Sequence, residues 1–136
     1  MPRQERRWIR VKALTQEEKT TVATICEQFI AETLKPRFLQ EIRPTQFNYP
    51  VDIFGKWHGS KYSFITRYRS GFAENLGEEF DFAFTRLDHL EHHLVETRFD
   101  VIWHRHTRQW FRLHASVTLE EALHLIETDG LLHPAI

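Results

Sequence analysis

The chain reads as an α+β domain: an N-terminal helix, an antiparallel sheet of four to five strands and a C-terminal helix, with both helices packed on one face of the sheet. Three observations predict this. Capping signals open a helical apolar stripe near each end, large apolar side chains alternate with polar ones through the middle, and short Gly-bearing or polar connectors separate the alternating runs.

Thr15-Gln16-Glu17-Glu18 is a capping-box pattern, in which the threonine hydroxyl accepts from an early backbone N–H and the glutamate reaches back to the cap. Beyond it Val22, Ile25, Cys26, Phe29, Ile30 and Leu34 recur at helical spacing and form one core-facing stripe. The helix is expected to end at Pro36, which lacks the N–H that continuation requires. Pro44 and Pro50 then make residues 38–49 an extended connection or edge strand. Residues 51–57 and 61–69 flank His58-Gly59-Ser60 and predict a hairpin, with Tyr62, Phe64, Thr66 and Tyr68 on one face and Ser63, Ile65 and Arg67 on the other. Residues 71–77 form a loop. Phe80, Phe82 and Phe84 alternate with Asp81, Ala83 and Thr85, as a half-buried strand does. Residues 87–97 fit either a short helix, with Leu87, Leu90 and Leu94 on one side, or a strand tail followed by a loop. Residues 99–114 predict a second hairpin. The last helix carries Thr118-Leu-Glu-Glu121 as its capping box, Leu119, Ala122, Leu123 and Ile126 as its buried stripe, and Gly130 as its stop.

At 136 residues the chain suits one domain, expected over residues 15–136 behind a basic arm at residues 1–14 that holds Arg3, Arg6, Arg7, Arg10 and Lys12. Apolar residues make up 41% and charged residues 27%, as in a water-soluble globular protein, while the 13% aromatic content points to a Phe-rich core. The net charge of −1 excludes wholesale attraction to phosphate backbones, and an acidic middle (Glu74 to Asp100) opposes the basic arm. The single Cys26 supports no disulfide framework within the chain and fits a reducing compartment. The basic start is followed by no apolar run, and no stretch approaches the ~20 apolar residues of a membrane span. The expected setting is the cytoplasm, with no membrane association.

Phe84-Thr-Arg-Leu87, Phe99-Asp-Val-Ile-Trp-His-Arg-His-Thr107, Gln109-Trp110, Thr118-Leu-Glu-Glu-Ala-Leu123 and Asp129 together resemble an uncharacterised bacterial family known as a domain of unknown function, number 3024. The resemblance covers the C-terminal half: an arginine-bearing strand, a hairpin closed by tryptophan, and a Leu-Glu-Glu-Ala helix. It implies the fold shape of a bacterial soluble protein and transfers no catalytic residue. Arg108 stands where such a hairpin turn calls for glycine, so a longer loop is an alternative to a tight turn.

The 99–114 segment holds two of the four Trp and three of the nine His, and any binding surface is expected to include it. A two-residue turn at Thr107-Arg108 would pair Arg105 with Trp110 and Trp103 with Arg112, setting Trp103, Arg105, Trp110 and Arg112 on one face. That face suits a protein partner, because Trp and Arg are enriched at binding hot spots. It also suits single-stranded nucleic acid, with bases stacked on indoles and arginines on phosphates. The bland alternative is that the guanidinium groups stack on the indoles within the molecule.

His104 and His106, two apart on a strand, would leave the same face and can place two nitrogens on one metal ion, with His58, His89, His92, His93 or a carboxylate as a further ligand. Asp100 shares that strand face with His104 and makes an acid/base pair conceivable on the same pattern. Lys61, Tyr62, Arg67, Tyr68 and Arg69 form a second basic aromatic strip, which alternation divides between two faces. No nucleophile sits in a Gly-rich turn, and no phosphate loop or zinc-protease helix is present. The sequence therefore favours a binding or interaction module using residues 99–114 over an enzyme. It calls for no cofactor, and leaves open nucleic-acid binding, a His-coordinated metal and a homodimer formed through a free sheet edge.

Overall fold

The computed structural model describes residues 11–105 and 107–136. Residues 1–10, which hold most of the expected basic arm, and His106 lie outside the described residues. Helix α1 (Gln16–Phe29) begins where its capping box places it. The Thr15 hydroxyl accepts from the Glu18 N–H and the Glu18 carboxylate accepts from the Thr15 N–H, each at 3.1 Å. The bond from Thr15 holds the Glu18 carboxyl below its ordinary range. Val22, Cys26, Ile30 and Leu34 are buried, whereas Ile25 faces outward.

The helix does not stop at Pro36. It widens into a π-helical segment, Ile30–Leu34, in which the Lys35 N–H donates to the Ile30 carbonyl, and resumes as α2 (Lys35–Phe38) with Pro36 in its first turn. Proline is tolerated there because the N–H it lacks would have no α-helical partner in a first turn, and the wider π register creates that turn.

Five strands follow: β1 (Asn48–His58), β2 (Lys61–Ser70), β3 (Glu79–His89), β4 (Phe99–His104) and β5 (Trp110–Val117). They lie in the order β1-β2-β3-β4-β5, each antiparallel to its neighbour. His58 pairs with Lys61, so the first hairpin turns on Gly59 and Ser60, and Gly59 takes φ 59°, a conformation that glycine adopts without steric cost. Pro50 sits on the edge strand beside a register shift at Pro50/Asp52, where its missing donor does least harm. The ambiguous stretch is strand tail and loop. Leu87 and His89 continue the β3 ladder opposite Val101 and Phe99, and the chain then turns away with Leu94 and Val95 exposed.

Helix α3 (Leu119–Thr128) starts at Thr118, whose hydroxyl accepts from the Glu121 N–H at 3.2 Å, and gives way to a 3-10 turn, Gly130–Leu132. Ala122 and Ile126 join Val22, Cys26, Ile53, Tyr62, Phe64, Leu87, Phe99 and Val101 in one core, so both helices cover the same face of the sheet. Gly55 is required here, because a Cβ would collide with the Tyr62 hydroxyl lying directly across it. The opposite face carries cross-strand ion pairs, Arg67 to Asp81 at 2.9 Å and Arg69 to Glu79 at 2.7 Å. The second basic aromatic strip is thus divided as alternation requires: Tyr62 is buried on the helix side and its arginines are paired on the other. No helix among the described residues is long and apolar enough to cross a membrane.

Candidate functional site

The β4–β5 hairpin turns through a longer loop than two residues. The Arg105 N–H donates to the Gln109 carbonyl and the Arg108 N–H to the Arg105 carbonyl, both at 2.9 Å, with Arg108 at φ 65°. A left-handed residue closing a loop of odd length is a standard hairpin solution, and it shifts the register by one relative to a two-residue turn. His104 therefore pairs with Trp110, Trp103 with Phe111 and Ile102 with Arg112. A slip of one residue carries side chains to the opposite face. The single Trp103, Arg105, Trp110, Arg112 face is thus corrected to two pairs on opposite faces: Trp103 with Arg105, and Trp110 with Arg112.

On the Trp103 side, the Arg105 guanidinium lies over both Trp103 and Phe111, at 5.7 Å and 5.6 Å from their ring centres. Trp103 is half-buried against the core, whereas Phe111 is 40% exposed. On the other side Arg112 approaches Asp100 at 3.7 Å. Intramolecular cation–π stacking, the bland alternative, is real for Arg105, yet both Arg105 and Phe111 remain open to solvent.

His104 is the centre of a stacked column. Its imidazole lies between Trp110, with centroids 4.1 Å apart, and Phe82, at 4.7 Å, both at 11° between planes. The Arg86 guanidinium sits 4.6 Å from the Trp110 ring centre and is held by Asp88 through bonds of 2.6 Å and 2.9 Å. The His104 Nδ1 contacts the Ala83 carbonyl at 2.6 Å. A carbonyl can only accept, so Nδ1 carries the proton, and in the neutral ring Nε2 is left as an acceptor.

His104 and Trp103 also border a cleft of about 340 Å³ between the end of the sheet and the C-terminal segment 130–135. Phe82, Phe84, His133 and Pro134 complete its walls. His133 is fixed in the same way as His104: its Nε2 meets the Glu127 carbonyl at 2.9 Å and its ring rests against Phe38 at 4.9 Å. The cleft is at the lower end of the ~300–1,000 Å³ range of ligand sites, and its lining is mostly apolar and aromatic with two histidines.

The other expected constellations are not assembled. Asp100 accepts from the Ser116 N–H at 3.0 Å and forms no pair with His104. His89 packs against Phe99, and His92 against His93, away from His104. Among the described residues no group of three His, Cys, Asp or Glu side chains is placed to hold a metal ion, and His106 lies outside them. Cys26 is buried, and desolvation pushes its thiol up to about 12, which keeps it un-ionised and unreactive. Sequence reasoning missed Phe82, Phe84, His133 and Pro134 as site residues. The period-2 phenylalanines marked a strand, but no local pattern links them to a tail some fifty residues on, a separation read from their numbers.

A family model described as a domain of unknown function (DUF3024) matches residues 11–134. The match takes in α1, the whole sheet and α3, so the resemblance noted in the C-terminal half extends over most of the chain. No curated protein and no solved structure matches the chain.

Proposed function

The chain belongs to the family described as a domain of unknown function, DUF3024, and from the site itself we propose that it is a small binding module engaging a protein partner at the hairpin end of its sheet. The observation that carries this reading is the cleft beside Trp103 and His104, together with exposed Arg105 and Phe111, which pack beside Trp103. Its aromatic rings are already held by stacking and by the bond to Ala83, so little rotamer freedom would be lost on binding. Aromatic side chains beside an exposed arginine are the composition of a binding hot spot.

Charge distribution favours protein over nucleic acid as the partner. Arg67, Arg69, Arg86 and Arg98 each close onto a carboxylate within the molecule, which reduces the cationic field that phosphate backbones require.

Affinity capture from native extract tests the reading. Wild-type protein should recover a partner that Arg105→Glu and Phe111→Ser variants lose, with their circular dichroism spectra unchanged because both residues are exposed. Equal recovery by all three proteins would overturn it, and recovery of nuclease-sensitive material with steep salt dependence would transfer the site to nucleic acid.

A further inference from the structure

We propose that the outer edge of β1 pairs with the same edge of a second copy of this chain, antiparallel and about a two-fold axis at Phe54. The surface is separate from the hairpin site, because β1 and β5 are the opposite edges of the sheet.

The β1 edge has an unused row of backbone groups. Its register with β2 runs unbroken from Asp52 to His58, where a two-residue turn begins. The residues flanking such a turn exchange both ladder bonds, and bonded pairs alternate along an antiparallel ladder. His58, Lys56 and Phe54 therefore bond to β2, while Trp57, Gly55 and Ile53 turn their N–H and C=O groups outward. The Ile53 N–H accordingly donates to the adjacent Asp52 carboxylate, at 2.9 Å, and not to a strand. Among the described residues no strand pairs with this edge, and a cleft of about 190 Å³ lined in part by Glu27, Ala31, Lys35, Ile53, Phe54 and Gly55 separates it from the helix. The β5 edge is less suited: two register shifts and Ser116 at φ 52° interrupt it, and such irregularities discourage edge pairing.

The residues along β1 specify a second copy as the added strand. A two-fold at Phe54 sets Ile53 opposite Gly55, so their outward groups exchange bonds across the axis. It also sets Asp52 opposite Lys56, which is exposed, so an acid faces a base twice. Registers centred on Asp52 or Lys56 would bring like charges together. Lys35 and the Ile53 N–H both engage Oδ1 of Asp52, at 3.0 Å and 2.9 Å, which leaves Oδ2 for Lys56 of the second copy. The helical wall of the cleft repeats the pattern, with Glu27 and Lys35 on either side of the small Ala31. A two-fold there directs Glu27 toward Lys35 of the second copy.

Sedimentation velocity of the full chain from micromolar to millimolar concentration tests the proposal. Wild-type protein should dimerise, and the exposed Lys56→Asp change should weaken the dimer roughly tenfold or more by setting like charges opposite. Asp52→Lys should do the same, and mixing the two variants should restore a dimer, now of unlike chains with every facing pair complementary. If Asp52→Lys does not fold, hydrogen exchange of the unaltered protein gives the second readout: the Ile53 and Gly55 amides should become protected as concentration rises. A monomer at all concentrations would overturn the proposal. So would a dimer indifferent to Lys56→Asp, or one whose Ile53 and Gly55 amides exchange as in the monomer. Protection of those amides only when a different protein is bound would give the edge to a foreign strand and overturn the choice of a second copy.

Discussion

The indole of Trp110 lies flat against the imidazole of His104, with centroids 4.1 Å apart and 11° between the planes. They are direct cross-strand partners, and the same imidazole is stacked on Phe82 and bonded to the Ala83 carbonyl. One ring thus ties the free end of the β4–β5 hairpin to β3 beyond Thr85 and Trp103, the last registered pair between β3 and β4.

The His104–Trp110 contact should show measurable coupling. In a double-mutant cycle with His104→Ala and Trp110→Ala, urea unfolding is expected to give an interaction energy of about 0.5–1.5 kcal/mol, the range for stacked ring pairs. Additive losses would mean that the two rings are neighbours without mutual stabilisation.

Arg108 occupies the left-handed region at φ 65°, where a side chain bears a steric cost. Arg108→Gly is therefore expected to stabilise the protein by about 0.5–1 kcal/mol, net of the extra chain entropy of glycine, while Arg108→Ala brings no such gain. Thermal denaturation of both variants decides the matter. A glycine variant no more stable than the alanine variant would show that the turn is not strained at this position.

His89 makes stability depend on pH. It is 8% exposed, its Nδ1 has no hydrogen-bond partner, and it packs on Phe99. Burial lowers its pKa from the ordinary 6.5, with Lys12 acting in the same direction and Glu91 and Glu18 opposing. Between the lowered value and 6.5 the unfolded chain binds a proton that the folded chain refuses, so stability rises with pH through that window. The contribution is complete above 6.5 and lost as pH falls through the folded-state value. Urea unfolding from pH 7.5 to 5 should show a loss, limited to about 1.4 kcal/mol per pH unit for one proton, that is smaller in His89→Phe. Identical pH profiles for the two proteins would remove His89 as the source.

Much of the fold was legible because its signals are local. The hydroxyls of Thr15 and Thr118 each accept from the backbone N–H three residues on, with the reciprocal bond from the glutamate completed at Thr15, and α1 and α3 start there. The alternation of Tyr62, Phe64 and Thr66 places them on the buried face because successive strand residues point to opposite sides. Pro36 misled for an equally local reason: its helix-breaking effect assumes an unbroken α register, and the π turn over Ile30–Leu34 removes that assumption.

The candidate site was legible only in part. Residues 99–114 alone mark Trp103, Arg105, Trp110 and Arg112 as unusual, but not which of them share a face. That depends on whether the loop has an even or odd number of residues, and Arg108 decides it by entering the left-handed region despite having a Cβ. The cleft goes further from local order. Phe82 and Phe84 come from β3, Trp103 and His104 from β4, and His133 and Pro134 from the tail after α3. Element type and buried face follow from interactions between residues a few positions apart, and these the amino-acid order carries directly. Register and the meeting of β3, β4 and the C-terminal tail depend on closing the chain around one core, where side chains distant in sequence settle their positions together.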